Sequence, residues 1–418
     1  MKPLYLSAAL VFLASPAFAQ SHRDFVFGTD AKLPAGAVRV DNAYDTAHGY
    51  GFEGDAPTIA ATSAGARPFF FSFDAPEGNY RVSVTLGGEA ASDTTVKAEL
   101  RRLMLETVAV PANGKTTQSF VVNVRTPLMP DGTSVKLKAP RESETEGRAW
   151  DSRITLEFDG NPAVREVSVE PVTVPTIYLL GDSTVCDQSG EPYASWGQML
   201  PRFFKPVVAI ANHGESGESV SSSIGRGRFD KILSLIKPGD VFVVQFGHND
   251  MKEKAKDPDA AQKYKAGLID WATKVKAKGA TAVIVTPMNR HTFENGVVVN
   301  SLEDYPQMAR EAAQASGAVL IDLNAESKVL YEALGEKPSL ALFEHTPDYA
   351  KVDMTHHSPY GAYELAKIIV EGLRANHMKV ADAVIDGLPH FDPAHPDPES
   401  SFKVPPSVTF AAAKPFGS

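Results

Sequence analysis

The chain has 418 residues, a formal net charge of −10 at pH 7, and 43% hydrophobic and 22% charged residues. Such a length can hold two domains with their own cores, and the composition is ordinary for a globular protein. The acidic balance argues against nonspecific binding to nucleic acid or to an anionic membrane surface.

The chain opens with Lys2, an apolar run over residues 4–14 and the small-residue stretch Ala17-Phe18-Ala19. This is the pattern of a secretory signal peptide over residues 1–19, cleaved after Ala19. The run is shorter than the ~20 residues of a spanning helix. No second run of that length follows, so the expectation is a soluble protein, secreted or periplasmic. The one cysteine, Cys186, cannot form an internal disulfide and reads as a packed small hydrophobe.

Residues 21–172 read as β-rich. Phe69-Phe70-Phe71-Ser72-Phe73 precedes a turn at Pro76-Glu77-Gly78, and residues 80–86 alternate up to Gly87-Gly88. Further runs lie at 95–100, 119–124, 134–137, 154–158 and 164–169. Short strands with turn residues between them predict a β-sandwich. Near residues 171–175 the pattern changes. Apolar strands are expected at 176–180, 207–211, 241–246, 282–286 and 319–323. Helices are expected at 196–204, 224–236, 260–278, 302–316, 327–334 and 359–375. Val/Ile-rich strands alternating with amphipathic helices predict βαβ units and a buried parallel sheet over 175–380. Ligands on such a sheet bind beyond the carboxyl ends of its strands. The segment 389–418 is rich in proline and polar residues and is expected to be extended.

Four short motifs follow these strands or precede the last helix. Gly181-Asp182-Ser183 comes directly after the first strand, where a serine exposes its hydroxyl and aims its own N–H at a neighbouring oxyanion. Asn212-His213-Gly214-Glu215-Ser216-Gly217 follows the second, with glycine offering an unobstructed N–H. Gly247-His248-Asn249-Asp250 follows the third, and an asparagine amide there can donate to the same oxyanion. Asp353-Met354-Thr355-His356 precedes the last helix, and its spacing lets the carboxylate and imidazole share one turn. Each motif alone is more simply a turn, a cap or a loop. Their joint order and context are far more specific. His213, His248 and His357 sit beside the motifs without metal-ligand spacing.

These four blocks, in this order, resemble the SGNH (GDSL-like) hydrolases. The strings Gly181-Asp182-Ser183-Thr184-Val185, Gly225-Arg226-Gly227-Arg228-Phe229, Gln245-Phe246-Gly247-His248-Asn249-Asp250 and Asp353-Met354-Thr355-His356-His357-Ser358-Pro359 resemble the rhamnogalacturonan acetylesterase branch. The likeness spans residues 177–375. It implies a flavodoxin-like three-layer α/β/α catalytic domain and a secreted serine esterase that removes acetyl groups from a plant cell-wall polysaccharide such as rhamnogalacturonan or pectin. Ser183 is then the nucleophile, His356 the base and Asp353 its orienting acid. The N–H groups of Ser183 and Gly217 and the Asn249 amide form the oxyanion hole. Asp182 holds its loop, and His248, Arg226, Arg228 and Arg290 are candidate substrate contacts. No cofactor and no metal are implied. The expected partner is an acetylated polysaccharide or oligosaccharide, and the sequence carries no signal of oligomeric state. Glu218 departs from the family pattern, where a basic or neutral residue is expected. The N-terminal region, through residues 78–86 and 101–106, resembles the galactose-binding-like β-sandwich fused to some bacterial members. Two rival readings stand beside this one: an acetylxylan or other SGNH esterase or lipase, and a carbohydrate-binding protein with a silent hydrolase domain.

Overall fold

The computed structural model describes residues 22–408. The expected signal peptide and residues 409–418 of the expected tail lie outside the described residues. No helix among the described residues is long and apolar enough to cross a membrane.

The N-terminal unit consists of two sheets, antiparallel except where Arg23–Val26 meets Val38–Arg39. One runs Thr116–Val124, Gly78–Leu86, Ala163–Pro171, Arg23–Val26 and Val38–Arg39, with a small hairpin at its side. The other runs Tyr50–Glu53, Phe69–Asp74, Arg153–Asn161, Ser92–Ala98 and Arg102–Val110. Strand side chains alternate between faces, so Val82, Val84 and Leu86 turn inward while Arg81, Ser83 and Thr85 stay partly exposed. The inward residues of both sheets share one core, rich in Phe25, Phe27, Phe52, Phe69, Phe71 and Phe73.

One strand expectation fails here, and one long strand goes unannounced. Residues 134–137 form no strand. They belong to an excursion that leaves the sheets after Val124 and packs on the C-terminal unit, retaining one isolated bridge between Leu128 and Ser134. The strand Arg102–Val110 was not foreseen, because Leu103 and Met104 are adjacent and both buried, which breaks the alternation. Register shifts around Val96 on its neighbour accommodate this.

The C-terminal unit is α/β. Its main sheet has five strands, all parallel, in spatial order Ala209–Asn212, Thr176–Gly181, Val241–Gln245, Thr281–Val285 and Val319–Ile321. Relative to chain order this is 2-1-3-4-5, the flavodoxin-like arrangement. Ile177, Leu179, Val243 and Val283 pack on one face against the helices Leu323–Leu334 and Pro359–Ala375. Tyr178, Leu180, Phe242 and Ile284 pack on the other against Arg228–Leu235, Ala260–Ala277 and Tyr305–Ser316. Both faces being covered explains why the strands read as continuous apolar runs.

The helix expected over 224–236 is two helices, Val220–Arg226 and Arg228–Leu235. Gly227, at φ +72°, takes the left-handed conformation that ends the first one. The helix expected over 196–204 is a single α-turn, Trp196–Met199, followed by a 3-10 turn over Leu200–Phe203 containing Pro201.

Buried charge joins the two units. Arg102 Nε lies 2.7 Å from Asp187 Oδ2 with both side chains almost wholly buried. Asp187 Oδ1 also accepts from Asn212 Nδ2 at 2.9 Å, at the end of the strand Ala209–Asn212. Next to it Arg101 donates to the Tyr193 carbonyl at 2.9 Å and pairs with Glu191 at 2.6 Å. The described part of the tail is irregular apart from one 3-10 turn, but it is tied down. Asp397 binds Lys367 at 2.6 Å, and Ser407 receives Lys97 Nζ at 2.7 Å.

Removing one member of a buried pair strands its partner's charge, at a cost of about 3–5 kcal/mol. Asp187→Ala is therefore expected to lose stability of that order in urea unfolding, and a loss under about 1 kcal/mol would deny the junction this role.

Candidate active site

The site begins where three neighbouring strands end. At the end of the first, a Cβ on Gly181 would lie 2.5 Å from Val185 Cγ2 and 2.6 Å from the Gln245 carbonyl oxygen, so only glycine fits. The turn that follows is closed by the Asp182 carbonyl, which accepts from the N–H groups of Val185 and Cys186, both at 3.0 Å. The Asp182 carboxylate accepts from Thr184 N at 2.9 Å and Thr184 Oγ1 at 2.7 Å. Gln188 Nε2 donates to the Ser183 carbonyl at 2.6 Å. Together these contacts fix Ser183, which is only 3% exposed.

Ser183 Oγ lies 2.9 Å from His356 Nε2, and His356 Nδ1 lies 2.9 Å from Asp353 Oδ2. A carboxylate only accepts, so Nδ1 carries the imidazole proton and Nε2 accepts from the serine hydroxyl. Asp353 and His356 lie on the strand Val352–His357, paired with Phe343–His345. The carboxylate also accepts from the backbone N–H of Thr355 at 2.9 Å and of His356 at 3.1 Å. Burial opposes the Asp353 charge, but hydrogen bonds from the His356 ring and these N–H groups outweigh it and hold the carboxyl well below the usual carboxylate range. Tyr193 meets the His356 ring edge-on at 6.0 Å.

The second loop turns at Gly217, whose φ of +72° favours glycine. The backbone N–H groups of Ser183 and Gly217 donate to no protein acceptor among the described residues. Asn249, after the third strand, donates through Nδ2 to the Glu218 carbonyl at 3.0 Å, which ties the second loop to the third. Asp250 accepts from Gly247 N at 3.0 Å and Val220 N at 2.8 Å, while burial pushes its carboxyl up to about 8.

The proposed nucleophile, base, acid and oxyanion donors thus come from the four motif segments the sequence singled out. The candidate substrate contacts divide. Arg228 is wholly buried in an ion pair with Glu142 at 2.5 Å, so it supports structure and cannot touch a ligand. His248 is also buried. Its Nε2 donates to the Met288 carbonyl at 3.1 Å and its Nδ1 faces Asp182 at 3.5 Å, so it braces the Ser183 loop. Arg226 is partly exposed on a cleft of about 620 Å³ that opens beside Gly217. Arg290 is partly buried against the catalytic hairpin, with Nε on Thr355 Oγ1 at 3.2 Å. Cys186 is buried and its thiol is pushed up to about 12 by burial, which leaves it unreactive.

Sequence reasoning missed the contribution of the N-terminal unit. Residues 137–141 form one wall of that cleft. Lys138 Nζ lies 2.6 Å from Glu218, and Arg141 pairs with Glu215. Glu218, fully buried, is also 3.1 Å from Arg226 and 3.9 Å from Arg228. Its departure from the family pattern has a physical reason: it is the counter-charge for cations of both units. Nothing local in the sequence announces this, because the partners are far apart along the chain.

Residues 179–363 match the model of the GDSL-like lipase/acylhydrolase family. Rhamnogalacturonan acetylesterase RhgT of Bacillus subtilis (strain 168) is 36% identical over 220 residues, 50% of this chain and 94% of that protein. The uncharacterized esterase YxiM of the same organism is 30% identical over 372 residues, 84% of this chain and 90% of that protein. A crystal structure of protein YxiM from Bacillus subtilis covers 86% of this chain and 99% of its own, at 26% identity and a TM-score of 0.48.

A carboxylate held below its unfolded value stabilises the fold above that value, and the benefit is lost as pH falls toward the folded value. The stability advantage of the wild type over Asp353→Asn is therefore expected to be constant above about pH 5 and to shrink below about pH 4. Urea unfolding across pH 6 to 2.5 measures it, and a difference that does not change with pH contradicts the charged state assigned to Asp353.

Proposed function

Because the chain belongs to the GDSL-like (SGNH) lipase/acylhydrolase family, in its rhamnogalacturonan acetylesterase-like branch, and is a carboxylic-ester hydrolase, we propose that it removes acetyl groups from an acetylated plant cell-wall polysaccharide, rhamnogalacturonan first among them. The observation that carries this reading is the unbroken hydrogen-bonded series from Asp353 through His356 to Ser183. RhgT, matched over 94% of its length, is named for this activity.

In the proposed reaction Ser183 Oγ attacks the acetyl carbonyl carbon while His356 Nε2 takes the hydroxyl proton. Asp353 keeps the proton of Nδ1 in place and stabilises the imidazolium. The carbonyl π electrons move onto oxygen, which is received by the N–H groups of Ser183 and Gly217 and by the Asn249 amide. Collapse expels the sugar alkoxide, which leaves as the alcohol with the proton from His356. Water, deprotonated by His356, then attacks the acetyl-enzyme, and acetate departs as Ser183 recovers its proton. The proposal includes export directed by residues 1–19. It also takes the N-terminal unit as a galactose-binding-like sandwich that supports the catalytic unit, a role favoured by the buried Arg102–Asp187 pair.

Ser183→Ala is expected to abolish acetate release from acetylated rhamnogalacturonan while leaving the far-ultraviolet circular dichroism unchanged. Asp353→Asn should lower kcat by about 10⁴-fold, since an asparagine amide no longer selects the productive imidazole tautomer. Acetate release compared across rhamnogalacturonan, xylan and long-chain esters tests the substrate. Faster turnover of xylan acetate or of long-chain esters would replace the pectin assignment.

A further inference from the structure

Lys138 and Arg141 belong to the excursion of the N-terminal unit, yet both end on one atom of the catalytic unit. Lys138 Nζ donates to the Ser216 carbonyl oxygen at 2.7 Å, and Arg141 Nη2 donates to the same oxygen at 3.2 Å. That carbonyl belongs to the peptide group whose N–H is Gly217 N–H. In a planar trans peptide the C=O and the following N–H point in opposite directions. Two cations gripping the oxygen therefore fix the direction in which the Gly217 N–H points. They also draw electron density toward the oxygen, which strengthens the N–H as a donor. Charge-assisted hydrogen bonds are about twice as strong as neutral ones, and polarisation along a hydrogen-bonded chain is greater in a site shielded from water.

We propose that Lys138 and Arg141 form a positioning clamp, through which the N-terminal unit sets the orientation and donor strength of the Gly217 N–H in the oxyanion hole. The proposal rests on the reading of Ser183 as nucleophile and deepens it. Neither cation is a catalytic residue, since each acts through the Ser216–Gly217 peptide.

The surroundings of the clamp agree with this role. Lys138 is held 2.6 Å from Glu218, and Arg141 is held by Glu215 and by Glu146 at 3.5 Å. The carboxylates neutralise the cations overall and fix their heads against the carbonyl, so the clamp is geometrically rigid without a net positive field. Both side chains are mostly buried, with 17% and 24% exposed. The same loop is pinned from the other side by the Asn249 amide on the Glu218 carbonyl at 3.0 Å. Two oxyanion donors thus stand on either side of one short, doubly anchored segment.

The test uses the full-length protein and two substrates, 4-nitrophenyl acetate, too small to fill the adjoining cleft, and an acetylated polysaccharide. The pre-steady-state burst with the nitrophenyl ester counts working active sites. In Lys138→Met/Arg141→Met, kcat per active site is expected to fall by about 10²-fold on the small ester, the scale of losing one oxyanion donor, with KM changed less than about twofold. Lys138→Met alone should lose about tenfold at most, because Arg141 still holds the carbonyl, and Lys138→Arg should restore most of it. An unchanged kcat per active site overturns the clamp. A defect confined to KM for the polysaccharide also overturns it and makes these residues substrate contacts. If the double variant does not fold, the single Lys138→Met and Lys138→Arg proteins decide by the same two readouts. A burst that persists in Ser183→Ala would refute the nucleophile instead, independently of the rates of the clamp variants.

Discussion

A charge buried between two folding units must find its partner there, because several kcal/mol of desolvation stand against each isolated ion. Asp187 lies four residues after Ser183, and it satisfies this constraint with Arg102 of the neighbouring sheet and with Asn212 at the end of a parallel strand. The N-terminal unit cannot swing away without stranding those groups. The relative placement of the two units therefore follows from electrostatics as much as from apolar contact. Arg101, with its contacts to the carbonyls of Gln188 and Tyr193, repeats the same logic one residue earlier.

Once the units are locked, the excursion after Val124 is delivered to the second catalytic loop. The cations gathered there from both units are nearly all committed: Arg228 of the α/β unit to Glu142 of the excursion, Lys138 to Glu218, and Arg141 to Glu215 and Glu146. The chain carries a net charge of −10, so no long-range field draws an acidic polymer toward the cleft. A uronate carboxylate reaching Arg226 would have to share that guanidinium with Glu218. Binding of such a polymer would then depend on shape and short-range hydrogen bonds more than on bulk charge, and its salt dependence would be shallow.

Much of this was legible in the chain because the relevant signals are local. The parallel strands stand out as apolar runs since both sheet faces are covered, and each chemical motif sits where such a run stops. The Asp353–His356 spacing was legible as a pairing on one turn, while the strand that carries it was not, because a three-residue offset does not fix the backbone conformation between its ends. The break at Gly227 was hidden by an otherwise helical pattern on either side of it. Arg228 reads in the sequence as a candidate substrate contact, and only the remote Glu142 and Trp150 turn it into a buried ion. Lys138 and Arg141 gave no signal at all. Long side chains in a proline-containing loop acquire meaning only when a segment some 75 residues away supplies the carbonyl they bind.

The comparison with RhgT sharpens what the N-terminal unit adds. That protein aligns over 94% of its length with only 50% of this chain, so the catalytic unit alone corresponds to nearly the whole of it. The relay from Asp353 to Ser183 lies entirely within that half, built from strand ends and one hairpin. The support of the Ser216–Gly217 peptide does not. In this chain it is exported to cations encoded before residue 142, and Glu218 supplies the buried counter-charge that makes their presence tolerable. YxiM aligns over 84% of the chain, across both units. In this chain the Ser216–Gly217 peptide is thus held by side chains of both units, while the hydrogen-bonded series from Asp353 to Ser183 needs nothing from outside the α/β unit.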